Sequence, residues 1–209
     1  MGRTRAFAPR MWQLDRMATG TKGHHGIHLD RRGFLRGLGA AAAGLSASRV
    51  ALAGNSARRA ISFVHTHTGE QLSAVYYEGG AYLAPALQRV NQLLRDFRTD
   101  ALYPIDPGVL DRLYLLQSAA GSDEAFQVIC GYRSPATNEA LRLASSGVAE
   151  HSLHMEGRAI DVRLPGIDSA RLALLARDQQ GGGVGYYRVS DFVHVDTGRV
   201  RIWGDPIAI

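Results

Sequence analysis

Ser152-Leu153-His154-Met155-Glu156-Gly157-Arg158-Ala159-Ile160-Asp161 is the stretch on which the reading of this chain turns, and it spells S-x-H-x-x-G-x-A-x-D. A glycine after the histidine lets the backbone turn. The run from Ala159 to Leu164 then alternates in the manner of a strand, which sends Ile160, Val162 and Leu164 to a core and turns Ala159, Asp161 and Arg163 the other way. A histidine and a carboxylate joined by one turn are two thirds of a mononuclear zinc site, because zinc takes imidazole nitrogen and carboxylate oxygen in a tetrahedron.

The third donor is expected from Phe192-Val193-His194-Val195-Asp196, where period two places Phe192, His194 and Asp196 on one face. His194 meets His154 and Asp161 if the two strands are neighbours. Two imidazoles and one carboxylate leave a fourth position for water, the open arrangement of catalytic zinc, whereas structural zinc is more often closed by thiolates. The lone cysteine, Cys130, lies in the apolar run Phe126-Gln127-Val128-Ile129-Cys130 and reads as a buried core residue. His151, three residues before His154, reads as a rim residue of the site. His65-Thr66-His67 is a second candidate pair, but it falls at the tip of a hairpin with no carboxylate before Glu70, and polar turn residues are the better reading.

Outward from the site, the elements predict an α+β domain with an antiparallel sheet carrying the metal and helices packed on it. Ile61 to Val64 and Leu72 to Tyr77 read as a hairpin around Thr68-Gly69-Glu70. Helices are predicted over Ala84 to Phe97, from Pro107 to Ala120 behind an Asp106 cap, over Asn138 to Leu143, and over Ser169 to Arg177. Gly181-Gly182-Gly183-Val184-Gly185 lacks the spacing of a phosphate-binding loop and reads as a turn leading to a strand at Tyr186-Tyr187. Arg133, at the end of the Phe126–Cys130 strand, can point a permanently charged fork into the cleft to hold a carboxylate or a developing oxyanion.

The 209 residues carry a formal net charge of +5, with a hydrophobic fraction of 45% that suits one globular domain. The positive charge is not spread over the fold. Residues 1–53 hold nine Lys/Arg against two Asp, which leaves 15 basic and 17 acidic residues in 54–209 and removes the case for a nucleic-acid partner. Arg31-Arg32-Gly33-Phe34-Leu35, a soft Ala/Gly-rich stretch and Ala51-Leu52-Ala53 follow one another as a twin-arginine export signal and its cleavage site do. The expected organisation is therefore an upstream extension over 1–29, a signal over 30–53 and the domain over 54–209, with a periplasmic, monomeric product that keeps no membrane anchor after cleavage.

From Ile61 to Trp203 the chain resembles the murein-endopeptidase-like group of the LAS superfamily, which joins lysostaphin-type and D-Ala-D-Ala metallopeptidases with the hedgehog signalling domain. The resemblance rests on His67-Thr68-Gly69-Glu70, Gly131-Tyr132-Arg133-Ser134-Pro135-Ala136-Thr137-Asn138, the decapeptide, Gly183-Val184-Gly185-Tyr186-Tyr187 and Phe192-Val193-His194-Val195-Asp196-Thr197-Gly198, in that order. It implies one Zn2+ per chain held by His154, Asp161 and His194, and hydrolysis of peptidoglycan peptides, with Arg133 and Tyr132 on the substrate. The base it implies is a carboxylate near the last histidine: Asp191, three residues before His194, ahead of Asp196, which equally suits orienting the imidazole. A link between D-Ala and diaminopimelate, a link between two diaminopimelates and a terminal D-Ala all suit such a site, with crosslinks favoured. The rival expectation, from the hedgehog branch, is a zinc-bearing module that binds wall peptide without cutting it.

Overall fold

In the computed structural model, residues 58–145 and 147–207 are described. The predicted extension and export signal lie outside them. Eight strands form one sheet: β1 Arg59–His65, β2 Gln71–Glu78, β3 Ala81–Tyr82, β4 Phe126–Cys130, β5 Ala159–Arg163, β6 Gly183–Tyr187, β7 Phe192–Asp196 and β8 Arg201–Gly204. Their order across the sheet is β3-β2-β1-β4-β5-β7-β6-β8. The described helices are α1 Ala84–Leu93, α2 Pro107–Ala120, α3 Pro135–Ala144 and α4 Ser169–Asp178. None of them is long and apolar enough to cross a membrane.

The fold is α+β as expected, but the sheet is mixed. β4, β5, β7 and β6 pair antiparallel, whereas β1 runs parallel to β4 and β6 parallel to β8. Parallel pairing needs a crossover connection, and β1 reaches β4 only through the hairpin and two helices. Alternation in a sequence shows which face a residue takes and is silent on which strand lies beside it.

One face of the sheet is the core. Ile160, Val162, Val193, Val195 and Val184 are buried there, under α2 and α4, which pack on each other and on the sheet. Leu110, Leu113 and Leu116 of α2 are fully buried, and burying each contributes about 1.5–3 kcal/mol. Asp106 caps α2 by accepting from the Gly108 N–H at 2.9 Å, and Pro107 opens the helix as its pre-set φ favours. Ser134 caps α3 in the same way, accepting from the Thr137 N–H at 3.2 Å, so that helix starts three residues earlier than apolar spacing alone predicts.

Two further boundaries differ from the sequence expectation. α1 stops at Leu93 and not at Phe97, because Asp96 is drawn inward to accept from the backbone N–H groups of Ser134 at 2.9 Å and Arg98 at 3.0 Å. The glycine run is not all turn: Gly183 and Gly185 belong to β6. A Cβ at Gly185 would lie 2.7 Å from the Trp203 ring, so the missing side chain is what lets that indole cross the sheet.

Candidate metal centre

Pairing across the sheet assembles the site. Asp161 on β5 lies directly opposite His194 on β7, and side chains directly opposite each other share a face. Ile160 and Val162 go to the core, so that shared face is the one turned away from it. His154 comes from a 3-10 turn, Leu153–Glu156, which Ser152 caps through its side chain. Gly157 ends the turn at φ +64°, and a Cβ there would lie 2.1 Å from the Pro104 carbonyl oxygen. The decapeptide is thus held against the loop before α2 by a residue that has to be glycine.

The three expected donors meet. His154 Nε2 lies 3.1 Å from His194 Nδ1 and 3.2 Å from Asp161 Oδ1, and His194 Nδ1 lies 2.8 Å from the same oxygen. The other imidazole nitrogens decide the chemistry of this triangle. His154 Nδ1 is 2.7 Å from the Gly131 carbonyl oxygen, which can only accept, so that nitrogen carries the proton and Nε2 presents a lone pair. His194 Nε2 faces Asp196 Oδ2 at 3.1 Å, which leaves Nδ1 as its lone-pair nitrogen.

With both rings neutral, three acceptors converge, an arrangement that a metal cation satisfies and that, without one, a proton on His154 satisfies. The triangle's sides are close to the separations of donors on one ion with bonds of about 2.0–2.2 Å, so the residues fit a metal such as zinc. Without an ion, a proton on His154 balances the charge. Burial opposes an imidazolium at His154, yet the adjacent Asp161 carboxylate outweighs it and raises the pKa; burial likewise opposes the Asp161 anion, and His154 and His194 hold its pKa well down.

Asp196 is fully buried. Its Oδ1 accepts from the N–H groups of Gly183 at 3.0 Å and Gly198 at 2.8 Å, and Arg201 grips both oxygens. Burial would raise its pKa, but His194, Arg201 and the two amides lower it. Arg112 of α2, buried in the core, donates to the Asp196 carbonyl and, at 3.1 Å, to that of Gly183. An arginine at an apolar-face position of α2 was a signal in the sequence, since Arg112 follows Val109 by one turn; it buttresses the strand end that carries the site.

The site opens into a cleft of about 660 Å³ whose lining includes Arg133, His151, Tyr187, Ser190, Phe192 and Trp203. Trp203 lies against His194 with ring centroids 5.0 Å apart and donates to the Tyr187 hydroxyl at 2.9 Å. The Arg133 guanidinium is nearly enclosed, 3.9 Å from Asp161 Oδ2, 3.4 Å from Asn138 Oδ1 and 3.6 Å from Cys130 Sγ, and among the described residues its buried Nε has no partner. The contacts of its terminal nitrogens are long, and the side chain lines the cleft.

Two expectations are not met as drawn. Tyr132 does not line the cleft; it is buried, its N–H donates to the Leu94 carbonyl at 2.7 Å, and its ring stacks on Tyr103 at 5.0 Å. Asp191 is not gathered to the triad. It stands at the lip between Ser190 and Phe192 with φ +51°, its exposed carboxylate 3.4 Å from Arg163 Nε. Asp196 touches His194 but has both oxygens committed.

Of the remaining histidines, His151 is exposed on the cleft wall. His65 is buried, its Nδ1 accepting from the N–H groups of His67 and Thr68, and His67 stacks on Phe97 at 4.2 Å. The pair shapes its hairpin, as expected. Cys130 is buried as expected, but it lies beside the site. Its sulfur joins His154 and Asp161 in a second donor set whose atoms lie within 4.8 Å of one another. The set containing His194 is tighter and faces the cleft.

A family model described as "Peptidoglycan L,D-endopeptidase MepK" matches residues 53–203. The chain is 41% identical over 145 residues to the peptidoglycan L,D-endopeptidase MepK of Escherichia coli K12, covering 69% of this chain and 80% of that protein. It is 38% identical over 170 residues to the probable peptidoglycan L,D-endopeptidase MepK of Haemophilus influenzae, covering 79% of this chain and 91% of that one.

Proposed function

The chain belongs to the family described as peptidoglycan L,D-endopeptidase MepK, and from that membership we propose that it is a periplasmic zinc peptidase that hydrolyses peptide crosslinks of peptidoglycan whose scissile bond joins an L- to a D-centre, as between two diaminopimelates. It is a murein peptidase; the zinc, the bond and the roles of individual residues are our assignments. The observation that carries them is the convergence of His154 Nε2, Asp161 Oδ1 and His194 Nδ1, each acting as an acceptor, at the floor of a cleft.

His154, Asp161 and His194 hold the ion. When bound, zinc polarises a carbonyl and makes water a competent nucleophile near neutral pH. Arg133 lines the cleft and its terminal nitrogens make only long contacts, so it offers them to the scissile carbonyl oxygen as charge develops there, or to a neighbouring substrate carboxylate. Trp203 and Tyr187 form an apolar wall that aligns the peptide and excludes bulk water. Asp196 keeps the His194 ring in the tautomer that ligates.

The proton acceptor is Asp191. Asp161 is a ligand and Asp196 is saturated, whereas Asp191 stands between the cleft residues Ser190 and Phe192, on the strand entry that leads to His194. Its link to Arg163 is solvent-exposed and worth at most about 1 kcal/mol, a small cost when substrate draws it inward. Its carboxylate takes a proton from the attacking water and returns it to the leaving amine nitrogen.

Digestion of purified sacculi by the zinc-loaded full chain, followed by chromatography of the muropeptides, tests the proposal. L,D-crosslinked dimers should disappear while D,D-crosslinked dimers persist. A protein with one equivalent of zinc that leaves every dimer intact refutes it and leaves the hedgehog-type binding module.

A further inference from the structure

Alternation along Phe126, Val128 and Cys130 assigns all three side chains to the core, and Val128 obeys it by pairing with core-facing Val162. The register then shifts between Val128 and Cys130, and Cys130 pairs with Asp161. A bulge of this kind adds a residue to one strand and re-aims the side chain beyond it. Cys130 consequently leaves the core face and joins a row that runs through Asp161, His194 and Gly185 to Trp203. Every residue of that row borders the metal centre or its cleft.

The sulfur there lies 3.6 Å from the Gly131 carbonyl oxygen and faces the site. It lies within 4.8 Å of the donor atoms of His154 and Asp161, and Arg133 Nη2 approaches it at 3.6 Å. We propose that Cys130 is a fourth, exchangeable donor to the metal held by His154, Asp161 and His194, closing the centre when the cleft is empty and yielding its place when substrate enters. The inference rests on the triad assigned above.

Sulfur and nitrogen on one tetrahedral zinc stand about 3.6 Å apart, given bonds of about 2.3 and 2.1 Å. The sulfur lies within 4.8 Å of the other donor atoms of its set, and one χ1 rotation moves a thiol sulfur further than the difference between that bound and the tetrahedral separation. The other three donors already lie within 3.2 Å of one another. That asymmetry makes the thiol the donor to exchange. Sulfur also biases the centre toward thiophilic ions, which a set of two imidazoles and one carboxylate does not do.

Cobalt(II) titration of the full chain distinguishes the possibilities, because a thiolate on cobalt gives a near-ultraviolet charge-transfer absorption that imidazole and carboxylate lack. Wild type should bind one equivalent and show that absorption. Cys130→Ser and Cys130→Ala should bind one equivalent and lose it, with circular dichroism reporting that both are folded. An L,D-crosslinked muropeptide added to the wild type should diminish the absorption. One bound cobalt without it in the wild type overturns the proposal and leaves the triad standing; wild type that binds no cobalt overturns both. An absorption that persists at saturating muropeptide overturns the exchange.

Discussion

Asp196 accepts from Nε2 of His194 at 3.1 Å while its two oxygens also take Arg201 and the amides of Gly183 and Gly198. The carboxylate is thereby fixed as an anion, and the ring it holds is fixed as the tautomer whose Nδ1 faces Asp161 and His154. Asp196→Asn keeps the shape and removes the charge, and its amide can turn a donor toward the imidazole. The variant should remain folded and lose about 10–100-fold in metal affinity, measured by competition with a chromophoric chelator. Unchanged affinity would leave Asp196 a purely structural group.

Arg133→Lys retains a positive charge in the cleft and loses the planar fork. Its terminal nitrogens make only long contacts, at 3.4 Å to Asn138 and 3.9 Å to Asp161, and the side chain lines the cleft, so the guanidinium contributes little to the scaffold. Turnover should fall by about 10²–10³-fold, with zinc content and melting temperature close to wild type. Loss of zinc in this variant would recast Arg133 as support for the metal site.

Asp96 ties the end of α1 to the start of α3, next to Arg133. Burial opposes its ionisation, but hydrogen bonds from Ser134, Thr137 and Arg98 lower its pKa to about 2. A depressed carboxylate stabilises the fold above its unfolded pKa of about 3.9, and that stabilisation is lost as pH falls toward about 2; the two values correspond to about 2 kcal/mol. Urea titrations should show wild type exceeding Asp96→Asn at pH 5, with the gap closing on acidification through that window. A gap that is constant with pH would mean the charge contributes nothing.

Gly157→Ala asks a side chain to sit at φ +64° against the Pro104 carbonyl. The backbone has to shift, and since the same turn carries His154, stability and metal binding should fail together. A loss of about 2–4 kcal/mol is expected, read from the thermal midpoint. A stable variant would show that the loop before α2 yields easily.

Removing the metal leaves His154, His194 and Asp161 held together only by a proton on His154. Chelator treatment should lower the thermal midpoint, and zinc at 100 times its dissociation constant should restore about 2.7 kcal/mol. A midpoint indifferent to chelator would count against His154, Asp161 and His194 as ligands.

Local chemistry made much of this protein legible in its sequence. Period two along Ile160–Leu164 and Phe192–Asp196 sorted Asp161 and His194 from the core, the cap at Asp106 began its helix, and three donors with zinc preferences stood out. These are properties of short segments, decided by backbone geometry and side-chain type. The tertiary structure decided what depends on neighbours: the parallel pairing of β1 with β4, the early end of α1 imposed by Asp96, the saturation of Asp196 by Arg201 and two amides, and the burial of Tyr132 under Tyr103. Cys130 shows the difference most plainly. Alternation sends it to the core, and a bulge whose location depends on pairing with β5 sets it opposite Asp161 instead.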